Sequence, residues 1–307
     1  MGTPDFAVAT LEALVQNQYT VVGVITAPDR PAGRGQKLHE SAVKKYAVAQ
    51  GLEVLQPKNL KDESFLQSLT ELKANLQIVV AFRMLPKVVW QMPVYGTFNL
   101  HASLLPDYRG AAPINWAVIN GEVTTGVTTF FIDEKIDTGA IILQKECPIS
   151  KKDTAGILHD KLMTLGAELV ITTTKLVQEN KVVAIDQKNT NSNKMAPKIS
   201  RDTCEVNWNH NAELVYNHIR GLSPYPTAWT TLHTSDDTLY LKIYDVELEK
   251  IAHNLEPGVI VADKWSMKIA AKGGYIHLLQ IQLPGKRKMA IKDVLNGLNL
   301  DPKAYVA

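Results

Sequence analysis

Asn99 and His101 stand two residues apart in FNLHASLLPDYRGAAPINWAV (98–118), and Asp137 follows in FFIDEKIDTGAIIL (130–143). TFNLH (97–101) is strand-like, so alternation sends the Asn99 and His101 side chains to one face. A strand that ends in polar residues and opens into a loop with Arg109, Gly110 and Pro113 is where α/β proteins place reactive groups. Asn99 can donate to an oxygen that becomes negative when a carbonyl is attacked. A carboxylate such as Asp137 beside His101 fixes the imidazole tautomer and favours its protonated form. Together the three suit acyl transfer between two bound substrates, with no protein nucleophile. Each also has a plainer reading. A lone histidine is commonly structural, and an aspartate ahead of Thr138–Gly139 commonly serves the turn.

The elements that must carry these groups alternate in kind over the first two-thirds of the chain. DFAVATLEALVQNQ (5–18) and DESFLQSLTELKAN (62–75) have helical periodicity, and TVVGVIT (20–26) and LQIVVAF (76–82) follow them as strands. TGVTTFFID (125–133) and AIILQKECPI (140–149) are further strands. This alternation predicts an α/β domain with a mostly parallel sheet and helices on both faces. A long helix is expected from Thr154, with Leu158, Leu162, Leu165 and Leu169 along one side and Asp153 as its cap.

From residue 188 the texture changes. NTNSNKMAPK (189–198) is polar, and residues 189–208 are expected to link a first domain (1–188) to a second (209–307). After a short helix (212–222), TLYLKIYDVELE, GVIVADK, SMKIAAKGG and YIHLLQIQL are strand-like, with a hairpin turn at Gly273–Gly274. A small antiparallel barrel of the oligonucleotide-binding type fits this pattern. The opening GTPDF is a turn and helix start that ordinarily follows a buried strand. We expect the true start to lie upstream with a first strand missing; the alternative is a sheet with one strand fewer.

Composition is that of an ordinary globular protein, at 45% hydrophobic and 21% charged residues over 307 positions. No apolar run approaches the roughly 20 residues that span a bilayer, so no membrane association is expected. With neither a signal-peptide nor a transit-peptide pattern, a cytoplasmic protein is the expectation. Two cysteines and eight scattered histidines have no zinc-ligand spacing, so no metal is expected. A net charge of +2 permits nucleic-acid binding only through a local concentration of basic residues.

N-x-H…SLLP, followed by RGAAPI and then DxxxDTG, resembles the folate-dependent formyltransferase family over essentially the whole chain. GTPDF, PDRPAGRGQKL (28–38) and SPYPTAW (223–229) narrow the resemblance to the branch whose acceptor is methionyl-tRNA. It implies a Rossmann-like catalytic domain, an OB-like tRNA-binding barrel, and Asn99, His101 and Asp137 as the catalytic triad. It also implies a reduced-folate site at Ser103, Leu104, Leu105 and Pro106, with Phe82 nearby, and 10-formyltetrahydrofolate as formyl donor. The implied acceptor is initiator methionyl-tRNA, approached by Arg30, Arg34 and Lys37, and the protein is expected to be a monomer. One departure is AFRMLP (81–86), which has Arg83 where many relatives carry glycine and is a residue shorter.

Taken without the resemblance, PDRPAGRGQKL (28–38) has the composition of a solvated surface loop, and Lys286, Arg287 and Lys288 are equally a solvated charge run. An amino-sugar nucleotide or glycinamide ribonucleotide acceptor would need neither that loop nor a barrel. A folate deformylase would ordinarily add a regulatory N-terminal domain. A non-catalytic RNA-binding protein gives no reason for Asn99, His101 and Asp137. A nicotinamide dehydrogenase is poorly supported, because no GxGxxG follows a strand.

Overall fold

The computed structural model describes residues 1–32, 37–187, 194–298 and 300–307. The chain begins with α1 (Asp5–Gln16), β1 (Val24–Ile25), β2 (Arg30–Ala32), β3 (Lys37–His39), α2 (Ala42–Ala49) and β4 (Val54–Leu55). Next come α3 (Glu63–Glu71), β5 (Gln77–Val80), α4 (Lys87–Trp90), β6 (Thr97–His101), β7 (Arg109–Gly110) and α5 (Pro113–Ile119). The hairpin strands β8 (Thr124–Phe131) and β9 (Ile141–Pro148) precede the long helix α6 (Ala155–Gln178), β10 (Met195–Ala196) and a 3-10 turn (Asp202–Cys204). The last third holds α7 (Ala212–Leu222), β11 (Ala228–His233), β12 (Thr238–Glu249), β13 (Ile260–Ala262) and β14 (Met267–Ala271). It ends with β15 (Gly274–Gln282), β16 (Met289–Ala290), α8 (Ile291–Leu295) and β17 (Tyr305–Val306). Two compact units result. One comprises Met1–Gly110, Thr124–Pro148 and His159–Met195; the other comprises Ala111–Val123, Ile149–Leu158 and Ala196–Ala307.

The first unit is α/β. Strand β1 pairs in parallel with β4, and a second sheet runs β5-β6-β8-β9. Its β5–β6 pairing is parallel and the β6–β8 and β8–β9 pairings are antiparallel, so the sheet is mixed. Helix α1 buries Phe6, Ala7, Thr10 and Leu11, the spacing of one helical face, and α2 starts where Ser41 accepts the Lys44 N–H at 3.0 Å. Strand β6 lies between β5 and β8 with Phe98 and Leu100 buried. Helix α6 rests on it at Gly166, where a Cβ would stand 2.7 Å from Leu100 Cδ2, so a larger residue would push the helix away from the strand.

The cap of α6 is not the expected one. Thr154 Oγ1 accepts the Ile157 N–H at 3.2 Å, while Asp153 accepts the Ser150 N–H at 2.8 Å. Thr154 immediately precedes the first helical residue and can reach an unpaired amide of the first turn; Asp153 is one residue too early.

The second unit is an antiparallel barrel in the order β13-β14-β15-β12-β11-β17, with β16 added to β15. A Val259–Tyr305 bridge joins the two ends and nearly closes it. Alternation fills the interior: Ala228, Thr230 and Leu232 of β11 are buried, as are Ile276, Leu278 and Ile281 of β15. Helix α7, capped by Asn211 on the Leu214 N–H, adds Val215, Ile219 and Leu222 to the same core. Val206 and Trp208, within the expected linker, also lie in that core; linker residues 189–193 fall outside the described residues. The β14–β15 hairpin turns at Gly273, where φ is +78°, as the Gly-Gly pair suggested.

Met1 and Gly2 pair as strand residues do. Met1 donates to Ile78 O at 2.7 Å and accepts from the Val80 N–H, while the Gly2 N–H donates to Ile25 O. Met1–Gly2 therefore stands between β1 and β5. Beside it is a cavity of about 540 Å³ lined by Thr10, Leu14, Leu72, Ile78 and Val177, among others. Residues 20–23 also line it and have no ladder partner, so the expected strand 20–26 is reduced to Val24–Ile25. Enclosure lowers the pKa of the Met1 amine from 8.0 to about 5, because desolvation disfavours its charge.

That depression has a sign. The unfolded amine holds a proton up to pH 8, whereas the folded one releases it above about pH 5. Folding therefore becomes more favourable as pH rises through this window, and the cost below it is about 4 kcal/mol. With Met1 retained, melting temperature should rise from pH 5 to pH 8. Thermal melts across pH check this.

Candidate active site

Strand β6 fixes the first two groups. Asn99 and His101 share a face, and His101 is only 6% exposed. His101 Nε2 lies 2.9 Å from the Tyr108 carbonyl, which can only accept, so Nε2 carries a hydrogen. The other ring nitrogen, Nδ1, faces Asp137 Oδ2 at 3.7 Å, beyond direct hydrogen-bond length. Asn99 is half-buried, and its amide has no hydrogen-bond partner among the described residues. The site thus offers a donor amide, a ring nitrogen directed by a backbone carbonyl, and a carboxylate facing the other ring nitrogen.

Asp137 reaches this position through an unusual backbone. Its φ is +55°, a left-handed conformation that costs on the order of 1–3 kcal/mol for a residue other than glycine. Three sets of contacts hold it there. Its Oδ2 accepts the Gly110 N–H at 2.9 Å, its carbonyl accepts Arg109 Nε and Gln187 Nε2 at 3.0 Å each, and Gln187 Nε2 also donates to Gly139 O at 2.8 Å. The loop is closed by Thr138 Oγ1 on Asp133 and by Gly139, where any Cβ would fall 1.6 Å from Phe131 O. Asp137 is therefore both a turn residue and a partner of His101, and the two readings coexist.

The segment after β6 is organised from behind by two side chains that the sequence did not single out. Thr128 Oγ1 donates to Ser103 O at 2.6 Å, and it accepts from Leu105 N at 3.1 Å and Gln144 Nε2 at 3.0 Å. Gln144 also donates to Leu105 O. Ser103 and Leu105 are enclosed, at 0% and 3% exposure, so their side chains shape this wall from inside. Leu104, Pro106 and Phe82 keep accessible surface. Arg83 spans the Lys58 and Pro57 carbonyls and lies over the Phe82 ring at 5.7 Å.

Of the basic residues, Arg30 is exposed at the start of the β2–β3 hairpin. Its base is tied down by Asp29, whose carboxyl is held below the usual range by hydrogen bonds from Lys44 and Gln56. Lys37 begins β3 by its backbone, and Arg34 lies outside the described residues. Lys286, Arg287 and Lys288 are exposed in the barrel unit, with Lys288 over the Tyr244 ring at 5.2 Å. Among the described residues no group of three His, Cys, Asp or Glu side chains could hold a metal, and no helix is long and apolar enough to cross a membrane.

Residues 1–174, which include Asn99, His101 and Asp137, match the family described as "Formyl transferase". The chain belongs to the formyl transferase family. Residues 198–299 of this formyl transferase match the family's C-terminal domain. It is 56% identical over 306 residues to the methionyl-tRNA formyltransferase of Flavobacterium johnsoniae, covering 100% of this chain and 97% of that protein. It is 53% identical to that of Bacteroides fragilis, covering 98% of this chain and 94% of that protein. Among solved structures, the N-formyltransferase from Helicobacter canadensis, in complex with folinic acid and dTDP-3-aminofucose, superposes with a TM-score of 0.66 at 22% identity. That superposition covers 90% of this chain and 96% of the other, and it is a likeness of fold.

Neither Thr128, one β-branched residue in a strand full of them, nor Gln187, in an ordinary polar stretch, carried a signal in the sequence. The structure makes Thr128 testable. In Thr128→Val the shape is kept but Ser103 O, Leu105 N–H and Gln144 lose a buried partner, so urea unfolding should report a loss of about 3 kcal/mol. Thr128→Ser, which keeps the hydroxyl, should cost about 1 kcal/mol.

Proposed function

We propose that this formyl transferase moves the formyl group of 10-formyltetrahydrofolate onto the free α-amino group of methionyl-tRNA, giving N-formylmethionyl-tRNA. The observation that carries this reading is the meeting of Asn99, His101 and Asp137 in a chain whose full length matches relatives named for that reaction. The amine attacks the formyl carbon, and the carbonyl oxygen takes the negative charge of a tetrahedral intermediate. The uncommitted Asn99 amide donates to that oxygen. His101 is directed by the Tyr108 carbonyl, so Nδ1 is the ring nitrogen available to the reacting groups. Asp137 faces that nitrogen at 3.7 Å.

One proton leaves the amine toward the His101–Asp137 pair. As the carbon–N10 bond breaks, N10 of the folate gains one, so the products are the formamide and tetrahydrofolate. Holding amine and formyl carbon in contact supplies much of the remaining rate. Leu104, Pro106 and Phe82 are the accessible residues for the folate, with Ser103 and Leu105 behind them. Arg34, with Arg30 and Lys37 in support, is proposed to make phosphate or base contacts to the tRNA.

The competing acceptor is an amino-sugar nucleotide, which the Helicobacter canadensis structure holds on a similar fold. The test is formylation with 10-formyltetrahydrofolate and either methionyl-tRNA or a dTDP-amino sugar as acceptor. Methionyl-tRNA should be formylated and the sugar should not; the reverse result sinks the acceptor. Asn99→Ala and His101→Ala should each lower kcat by on the order of a hundredfold or more, with folate KM little changed. Arg34→Ala should raise the KM for tRNA while kcat is retained.

A further inference from the structure

We propose that Gln187 is a positioning residue for the formyl-transfer step, acting with Arg109 to hold the Asp137 backbone so that its carboxylate meets His101. The proposal rests on the reading that His101 and Asp137 serve catalysis. Gln187 lies 50 residues beyond Asp137 and outside both matched family segments, 1–174 and 198–299. It arrives by a two-way backbone pairing of Ile185 with Ile141, both bonds at 2.8 Å.

The geometry is that of a clamp. One side-chain amide bridges the carbonyls of Asp137 (3.0 Å) and Gly139 (2.8 Å), on either side of Thr138. Its oxygen accepts Arg109 Nη2 at 2.5 Å and Nε at 3.1 Å, and Arg109 Nε also reaches the Asp137 carbonyl. Two donors on one carbonyl use both of its lone pairs. With that peptide fixed, a left-handed residue cannot relax to the ordinary helical or extended regions. The carboxylate is then left with its own torsions, and the Gly110 N–H settles those. Without Gln187, the Gly139 carbonyl loses its donor and the Asp137 carbonyl is held by Arg109 alone. The 3.7 Å separation from His101 Nδ1 leaves little tolerance for such a change.

Gln187→Glu separates the clamp from its rivals. Glutamate keeps an acceptor for Arg109 but cannot donate to the two carbonyls. If the donors matter, Gln187→Glu and Gln187→Ala should both lower kcat by about tenfold to a hundredfold, as a displacement near 1 Å at a reacting group does. The KM values for 10-formyltetrahydrofolate and methionyl-tRNA should stay within about twofold. In an Asp137→Ala background the same Gln187 changes should cost nothing more, since both act through one carboxylate.

A Gln187→Glu enzyme with wild-type kcat would overturn the proposal. So would a loss that multiplies fully with that of Asp137→Ala, or one that appears in KM alone. Thermal melts within a few degrees of wild type keep a loss of kcat distinct from unfolding. If Asp137→Ala alone leaves kcat unchanged, the reading of the site fails, and that is visible before any Gln187 variant is made.

Discussion

The enclosed His101 imidazole has one nitrogen hydrogen-bonded and the other facing a carboxylate, and the loops that supply these two groups are shaped around it. One nitrogen is answered by a backbone carbonyl, that of Tyr108, a residue that is itself left-handed with φ at 60°. The Tyr108 N–H is in turn spent on Lys194 O at 2.7 Å. The other nitrogen looks toward a carboxylate that its loop holds in place from the backbone side. The ring is thus oriented by a main-chain carbonyl on one loop and faced by a side-chain carboxylate on the other. Neither loop could take this form without left-handed residues and, at Gly139, the absence of a side chain.

In the proposed reaction the site needs no nucleophile of its own. The amine and the formyl carbon are both supplied by substrates, so the protein contributes donors, a proton acceptor and alignment. Asn99 is the part left open. Its strand neighbours Phe98 and Leu100 are buried and anchor β6, while its own amide is uncommitted among the described residues. In the proposed reaction, a strand that presents one free donor is preorganised for charge that exists only during the reaction. Behind the next segment, Thr128 and Gln144 do comparable work by satisfying the backbone of residues 103–105 from a neighbouring hairpin.

Much of this was legible in the sequence because it depends on periodicity or on residue type. The long helix, the α7 helix, the barrel strands and the shared face of Asn99 and His101 all follow from apolar spacing of 3.6 or 2. What stayed hidden were contacts made to backbone. Tyr108 acts through its carbonyl, Gln187 and Arg109 act on another carbonyl, and no residue type announces such a role. Strand 20–26 read correctly as apolar and β-branched, but a strand also needs neighbours, and only Val24 and Ile25 find them. Asp153 and Thr154 are both good caps by type; a single residue of register separated them. The acceptor, too, was legible only through resemblance, since the triad alone would suit any amine.

The most direct test of this account is a crystal structure with a hydrolysis-resistant analogue of 10-formyltetrahydrofolate bound. The account predicts a formyl oxygen within about 3 Å of Asn99 Nδ2, with His101 Nδ1 facing the same carbon and Asp137 still left-handed. A bound analogue whose formyl group points away from Asn99 and His101, with its oxygen held by other donors, would contradict it.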